Sequence, residues 1–405
     1  MYRHCLNYLF IAIIATLACV SINAQEVEDT IRIKTRVVFL DALVKDKKTS
    51  LPISNLTQGN FQVLDDGKPR EISYFTREGQ ARKPLALVMI LDLREDGAGR
   101  FLKDAEILKA MENELAKLPP GDEVAIMAMN IGEDEQRVWL SDFTNERTKI
   151  AAALARVQAL CLPSDGQPPK GTAESRGESS SSESKTVVST ETVKGRDGSV
   201  VTRKTMSDGS VDVTRVSKNG KMTIELGDVY DMAAAVREAT RKAQELRPNS
   251  QMSLVWVSDG IAPIFYADRD ATEEIIVRDN VIFNSLTVEL RTLFKFLLPI
   301  GKPIAGWMGM SLYGSAKHLA QRSGGEAVKV GRVKDYGAGL SRIIGNLTAR
   351  YSLGFALAEN ETDDGRMHSL EVRVKAQDEK GKTRKLQVSS RQGYYMAYPP
   401  ITQKQ

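Results

Sequence analysis

The fold of this chain is decided by residues 85–92, LALVMILD. A continuous apolar run that ends in an acid is typical of a strand buried on both faces of a parallel sheet. A helix is predicted next over residues 101–118, and Pro119-Pro120-Gly121 ends it. A second apolar run follows at residues 124–129. This order of strand, helix and strand indicates a βαβ unit.

The same alternation continues towards the C-terminus. Helices are predicted over residues 148–160, 229–246, 311–322 and 336–349, and strands over residues 252–257, 281–283 and 327–330. Alternating strands and helices favour an α/β domain with a doubly wound, mainly parallel sheet, similar to the Rossmann arrangement, over residues 83–348.

The two ends of the chain have the pattern of short strands with polar turns. Residues 25–80 contain predicted strands at 31–40, 61–64 and 71–75, and residues 349–400 contain predicted strands at 351–355, 369–374, 386–389 and 394–397. A segment of this size cannot close a stable sheet by itself. We therefore expect one β-rich module built from the N- and C-terminal segments.

An insertion interrupts the α/β domain at residues 162–226. Its first part is rich in serine and is predicted to be a linker. Asp197-Gly198, Asp208-Gly209 and Asn219-Gly220 then recur every eleven residues, and such pairs favour two-residue hairpin turns. The spacing predicts a β-meander with strands at 186–194, 199–207, 210–218 and 221–226. Its strands are interpreted as polar on both faces, so it either packs one side weakly on the α/β domain or projects from it as an exposed, flexible segment.

Composition and the N-terminus restrict the class of protein. The chain has 405 residues, of which 42% are hydrophobic and 27% charged, and these values are typical of globular proteins. The net charge of +4 is spread along the chain, so no nucleic-acid partner is expected. Residues 1–24 resemble a signal peptide that ends at Ala24, which predicts a secreted or periplasmic protein without a membrane span after cleavage. An uncleaved anchor and lipidation at Cys19 are the alternatives. Cleavage leaves Cys161 as the one thiol, so no intramolecular disulfide is expected.

Acidic residues follow two of the predicted central strands. The first group is Asp92-Leu93-Arg94-Glu95-Asp96, and the second is Ser258-Asp259-Gly260. Ligands of open α/β sheets bind beyond the carboxyl ends of the strands. At these positions the sequence resembles the von Willebrand factor type A (vWA) domain, whose metal site uses Asp-x-Ser-x-Ser, a Thr and a later Asp.

The wider chain is similar to the secreted VWFA-related Acidobacterial domain proteins. The resemblance rests on Val44-Lys45-Asp46, Leu56-Thr57, residues 60–72 (NFQVLDDGKPREI), residues 320–327 (AQRSGGEA), residues 349–355 (ARYSLGF) and residues 391–395 (RQGYY). It covers nearly the whole mature chain except the insertion. The resemblance implies a vWA fold and a binding or adhesion function.

The metal motif departs from that family. Asp92 and Asp259 match it, but Arg94 and Asp96 stand at the two Ser positions, and Gly227, beside Asp228, stands at the Thr position. No cofactor is therefore expected. The alternative is a Mg²⁺, Mn²⁺ or Ca²⁺ ion held by Asp92, Asp96, Asp228 and Asp259. Arg94 instead favours an ion-pair network with the aspartates. Helix capping by the aspartates is the third interpretation.

No enzyme signature is complete. Gly97-Ala98-Gly99 imitates a phosphate loop, but Leu102 replaces the third glycine and the adjacent acids would repel a phosphate. His4, His318 and His368 are the only histidines, so no His-Cys metal cluster is expected. We predict a non-enzymatic chain.

An apolar segment at residues 293–310 offers a contact surface. Its alternative is a lid, or packing on the β-rich module. The sequence as a whole predicts protein–protein adhesion or scaffolding with an unknown protein partner, through Arg94, Glu95, Gly260, Phe296 and Trp307. The alternatives are cation-dependent adhesion and an enzyme of unknown reaction class.

Overall fold

The computed structural model describes residues 36–77, 82–94, 99–131, 135–160, 186–207, 211–218, 220–226, 232–288, 309–358, 360–361, 363–377 and 381–396. From Val37 onward these residues belong to one compact unit. The predicted signal peptide, the serine-rich linker, Cys161 and most of segment 293–310 lie outside the described residues. Among the described residues, no helix combines the length and the hydropathy needed to cross a membrane.

Strands and helices alternate over most of the described chain. The strands are β1 (Val37–Asp46), β2 (Phe61–Asp65), β3 (Lys68–Arg70), β4 (Tyr74–Thr76), β5 (Leu85–Asp92), β6 (Glu123–Ile131), β7 (Glu135–Thr144), β8 (Val187–Lys194), β9 (Val200–Met206), β10 (Val211–Ser217), β11 (Gly220–Leu226), β12 (Gln251–Ser258), β13 (Ile261–Phe265), β14 (Ile282–Val288), β15 (Met310–Tyr313), β16 (Ala327–Val330), β17 (Tyr351–Ala356), β18 (Met367–Val374), β19 (Leu386–Ser390) and β20 (Gly393–Tyr395). The helices are α1 (Gly99–Leu102), α2 (Ala105–Leu115), α3 (Arg147–Leu160), α4 (Met232–Leu246), α5 (Tyr266–Arg278), α6 (Ser315–Ser323) and α7 (Tyr336–Thr348).

A six-stranded sheet forms the centre of the α/β domain, in the order β16-β14-β12-β5-β6-β7. Neighbouring strands are parallel except for β7, which runs antiparallel to β6 at the edge. All residues of β5 are buried, as its apolar run predicts. Helices α2, α3 and α7 pack on one face of the sheet, and α4, α5 and α6 on the other. The predicted mixed α/β class is therefore confirmed.

Both ends of the chain contribute strands to the same sheets. β1 pairs with β17 and β19, and β2 pairs with β18. The resulting sheets have the orders β19-β1-β17-β4 and β20-β18-β2-β3. One apolar cluster lies between them, with Leu40, Val63, Tyr351, Leu353 and Phe355 among its most buried members. This cluster stabilises a β-rich module that neither end could form alone.

Buried cations join the β-rich module to the α/β domain. Lys45 of β1 is ion-paired with Glu326 at the start of β16, and burial lowers the pKa of Lys45. Arg350 donates from Nη2 to the carbonyl oxygen of Gly324 over 2.7 Å. These residues belong to the sequence segments that carry the family resemblance. These contacts link the β-rich module to the α/β domain. A buried charged group needs a polar partner, which an apolar core would not provide.

The insertion packs one side on helices α4 and α5. Val201 and Val213 are buried against Phe265, Ala267 and Met310. This corrects the interpretation of the meander strands as polar on both faces.

A charged contact sits beside this small core. Arg237 of α4, 1% exposed, donates to both carboxylate oxygens of Glu191 on β8, from Nε at 3.1 Å and from Nη2 at 2.7 Å. Arg203 of β9 pairs with Asp268 of α5 at 3.0 Å. The structure therefore has the packed alternative, not the projecting one.

Several predicted elements were wrong in type or extent. The helix predicted over 101–118 is broken, because Asp104 accepts a hydrogen bond from the backbone N–H of Glu106 and starts a new helix at Ala105. Residues 311–313, predicted as helix, belong to strand β15. Residues 71–73, predicted as strand, separate β3 from β4. Strands β7 and β13 and helix α5 had no predicted counterpart.

Candidate functional site

The candidate site lies at the carboxyl edge of the central sheet. Asp92 is the last residue of β5, and Asp259 directly follows β12. These strands are parallel neighbours, and the chain moves away from them in opposite directions along the sheet. This is the switch point at which α/β sheets bind ligands. Asp92 is 1% exposed and Asp259 is 7% exposed, so both carboxylates are buried.

Arg94 brings a guanidinium between the two buried carboxylates. Its Nη2 lies 2.6 Å from Oδ1 of Asp259 and 3.6 Å from Oδ2 of Asp92. Its backbone N–H also donates to Oδ1 of Asp92 at 3.3 Å. Arg94 itself is buried. Of the three interpretations left open by the sequence, this arrangement matches the ion-pair network.

Ser258 links the two carboxylates from the other side. Its hydroxyl donates to Oδ2 of Asp92 at 2.7 Å and accepts from the backbone N–H of Gly260 at 3.3 Å. Oδ1 of Asp259 also accepts from the backbone N–H of Ile261 at 2.9 Å. Gly260 adopts a φ of +89°, which favours glycine. The sequence identified Asp259 and Gly260 as site residues but not Ser258, because a serine at a strand end has no distinguishing pattern.

Tyr336, the first residue of α7, closes the buried side of the site. Its hydroxyl donates to the carbonyl oxygen of Ser258 at 3.2 Å. Burial, together with the negative charges of Asp259 and Asp92, raises the pKa of Tyr336 well above its ordinary value. The phenol therefore stays protonated and acts as a fixed donor.

Gly99 lies close to the residues that follow β5. The backbone N–H of Gly99 donates to the carbonyl oxygen of Arg94 at 2.9 Å. A Cβ atom at Gly99 would lie 2.0 Å from the carbonyl oxygen of Leu93, so only glycine fits. Gly99 thus lets the chain pass close to Leu93 and fixes the backbone from which Arg94 extends.

The other predicted site residues fall elsewhere. Glu95, Asp96, Asp228, Phe296 and Trp307 lie outside the described residues. The structure brings together Asp92, Arg94, Asp259 and Gly260, and it adds Ser258 and Tyr336.

Among the described residues of this edge, Asp92, Arg94, Ser258 and Asp259 do not converge as ligands of a divalent cation, and the other two predicted ligands, Asp96 and Asp228, lie outside the described residues. Such an ion needs several oxygen ligands that converge on one point. Here Nη2 of Arg94 faces both carboxylates, and a guanidinium repels a cation. The Ser258 hydroxyl already donates to Asp92. The described residues at this edge therefore form a cluster in which Arg94 offsets one of the two carboxylate charges.

Comparisons with known proteins give a likeness of fold. No family model matches the chain, and no curated protein matches it. Among solved structures, the VWA domain of SpRpn10 is 9% identical, with 65% of this chain and 94% of that chain covered and a TM-score of 0.31. Manganese-loaded TRAP protein from Plasmodium vivax is 11% identical, with coverages of 79% and 98% and a TM-score of 0.33.

The pilus adhesin SpaC from Lactobacillus rhamnosus GG is 7% identical, with a TM-score of 0.35. The alignment covers 86% of this chain but only 49% of the adhesin, so the chain spans about half of that protein. At TM-scores of 0.31 to 0.35 these likenesses say nothing about ligands, cations or partners. The fold of this chain is described by its own strand order and switch point.

Proposed function

We propose that this chain is a non-enzymatic, secreted or periplasmic protein-binding module that acts in adhesion or scaffolding. It contacts its partner at the carboxyl edge of the central sheet without a divalent cation. The observation that carries the proposal is the buried ion pair between Arg94 and Asp259 at the switch point. Recognition at this edge involves Arg94 and Gly260. Glu95, Phe296 and Trp307 are included on the evidence of the sequence alone.

The ion pair supports binding over catalysis at this position. A carboxylate that serves as a general base must be able to take up a proton from a substrate. Asp259 instead accepts from Arg94 and from the backbone N–H of Ile261, and Asp92 accepts from Ser258. These bonds fix the positions of both carboxylates. The cluster is therefore suited to holding the shape of the edge.

The ion pair also supports a cation-independent mode. In a cation-dependent module, the metal would supply the positive charge at the switch point. In this chain the positive charge belongs to the side chain of Arg94. EDTA removes metal ions and not this side chain, so it should not weaken partner binding. Cation-dependent adhesion remains the alternative, and it predicts the opposite response to EDTA.

The test compares two charge reversals at opposite edges of the sheet. Arg332 follows β16 at the carboxyl edge; its side chain is 68% exposed and paired with Asp335. Lys117 follows α2 at the amino edge; its side chain is 65% exposed and paired with Glu114. Immobilised chain, Arg332→Glu and Lys117→Glu would each be incubated with extracellular or periplasmic extract of the source cells, with EDTA and with magnesium.

We expect the parent and Lys117→Glu to retain a protein that Arg332→Glu does not retain, both in EDTA and in magnesium. Binding that disappears in EDTA would favour the cation-dependent alternative. A retained protein affected equally by both reversals, or by neither, would remove the carboxyl edge as the contact surface.

A further inference from the structure

A group of metal-ligating side chains lies in the β-rich module, far from the sheet edge. Asp65 ends strand β2, Asp66 begins the turn to β3, and His368 lies on the neighbouring strand β18. One ligating atom from each of these residues lies within 4.8 Å of the other two. Donors about 2.0–2.2 Å from a common ion are about 3.3–3.6 Å apart in a tetrahedral site, so a small movement of these side chains would bring the three atoms to one ion.

The turn after β2 holds Asp66 in place. Asp66 and Gly67 both have positive φ angles, +47° and +78°, as a tight two-residue hairpin turn requires. Oδ1 of Asp66 accepts from the backbone N–H and the hydroxyl of Ser369, and its Oδ2 lies 2.8 Å from Nδ1 of His368. The carboxylate is therefore aimed at β18 before any ligand binds.

Two buried polar atoms of this group have no hydrogen-bond partner. They are Oδ1 of Asp65, a residue 3% exposed, and Nε2 of His368. The other oxygen of Asp65 is used, because it accepts from Arg70 at 2.7 Å and from the Tyr394 hydroxyl at 3.2 Å. Nε2 of His368 lies 3.5 Å from the carboxylate of Asp364, within the range of an ion pair. Buried polar atoms normally have partners, so Oδ1 of Asp65 is the atom of this group that indicates a missing ligand.

The charge of the surroundings favours a cation. Besides Asp65 and Asp66, the carboxylates of Glu361 and Asp364 lie in the same network of ion pairs. Two guanidiniums oppose these four carboxylates, those of Arg70 and Arg366. With a neutral imidazole the network keeps an excess of negative charge. The stacked ring of Tyr394, with its centroid 5.2 Å from that of His368, orients the imidazole.

We infer that Asp65, Asp66 and His368 form a binding site for a first-row divalent metal ion of the Zn²⁺ type. One imidazole nitrogen with carboxylate oxygens suits zinc, whereas calcium and magnesium prefer oxygen ligands alone. Asp66 is exposed, so the ion can enter from solvent and keep an open coordination position. The bound ion would fasten the β2–β3 turn to β18, which joins the N- and C-terminal segments of the chain. The sequence missed this site because His368 is about 300 positions from its partners.

The test is calorimetric titration of zinc chloride into EDTA-treated, dialysed residues 25–405 at pH 7. The variants are His368→Gln, Asp66→Asn and, as matched control, His318→Gln. His318 is the other histidine that follows the predicted signal peptide, and it pairs with Glu273 instead. Asparagine tolerates the positive φ of Asp66 and preserves the turn, so that variant tests the charge even where His368→Gln fails to fold.

The expected result is one zinc ion per chain for the parent and for His318→Gln. His368→Gln and Asp66→Asn should each weaken binding at least about tenfold. Magnesium at millimolar concentration should not compete. An absence of zinc binding by the parent, or equal affinity for the parent and both site variants, would overturn the inference. In that case the contacts of His368 with Asp66 and Asp364 satisfy the cluster without an ion.

Discussion

Replacing Arg94 by serine tests the ion-pair interpretation of the sheet edge. The substitution removes the cation and puts a hydroxyl at a position where the vWA motif has one. Asp92 and Asp259 would then be left as neighbouring buried carboxylates, both with side chains 1% exposed. Breaking a buried pair by removing one partner costs about 3–5 kcal/mol. We expect the free energy of unfolding of Arg94→Ser to fall by about that amount in EDTA at pH 7.

A divalent cation should reverse part of that loss in the variant alone. With the guanidinium gone, the two carboxylates, Ser258 and the new hydroxyl offer oxygen ligands to Mn²⁺ or Mg²⁺. Binding at 100 times the dissociation constant would restore about 2.7 kcal/mol. The parent should show no such gain, because the guanidinium of Arg94 faces both carboxylates and repels a cation.

Urea unfolding followed by circular dichroism measures both quantities, in EDTA and in millimolar manganese. Arg332→Ser is the matched control, since its side chain is 68% exposed and its loss should cost under about 1 kcal/mol. A loss below about 1 kcal/mol for Arg94→Ser, or an equal gain from manganese in the parent, would refute the reasoning.

Three further predictions follow from other contacts. Gly99→Ala should destabilise the chain by roughly 2 kcal/mol or more, because its Cβ would lie 2.0 Å from a backbone oxygen. Gly121→Ala, whose Cβ would have no atom within 4 Å, should not destabilise the chain, and thermal melts would show the difference. Arg237→Lys should raise the rate of hydrogen exchange in β8–β11 at least about tenfold, because one ammonium cannot replace the two hydrogen bonds from Arg237 to Glu191 of the insertion. Lys242→Met on the same helix should leave that rate unchanged. Although burial acts in the opposite direction, bonds from histidine and arginine lower the pKa of Glu273 to about 2 from 4.5, so its stabilisation is complete above pH 4.5 and disappears as the pH falls towards 2. Glu273→Gln should therefore flatten the acid limb of stability by roughly 2–3 kcal/mol, and an unchanged limb in urea titrations from pH 2 to 7 would contradict this cause.

The parts predicted well depend on local patterns. The apolar runs of β5 and β12 predict buried parallel strands because a strand covered on both faces has no place for polar side chains. The Asx-Gly pairs predict the meander because turns need residues with positive φ, and Gly198 and Gly220 have it. The predicted two-residue turn at Asp197-Gly198 was wrong, because Asp197 does not have positive φ and residues 195–199 separate β8 from β9. Observed strands β8–β11 agree with the predicted ones to within a residue or two.

The parts predicted badly depend on distant packing. Strand β7 and helix α5 have many polar residues, and only their position at the edge or face of the sheet makes them regular. Helix α2 begins at Ala105 because Asp104 caps it, a local signal that the continuous apolar periodicity concealed.

The sequence by itself determined the α/β class and the place of Asp92, Arg94 and Asp259 directly after two buried strands. Only the tertiary structure decided what those groups do, because a charged side chain after a strand can turn to solvent, to a cap or to a neighbour. Packing directed Arg94 towards Asp259 and brought Ser258 between the aspartates. It likewise assembled Asp65, Asp66 and His368 from opposite ends of the chain. Contacts between residues hundreds of positions apart leave no periodic trace in a single sequence, since each strand's pattern specifies which face is buried and not which strand lies beside it.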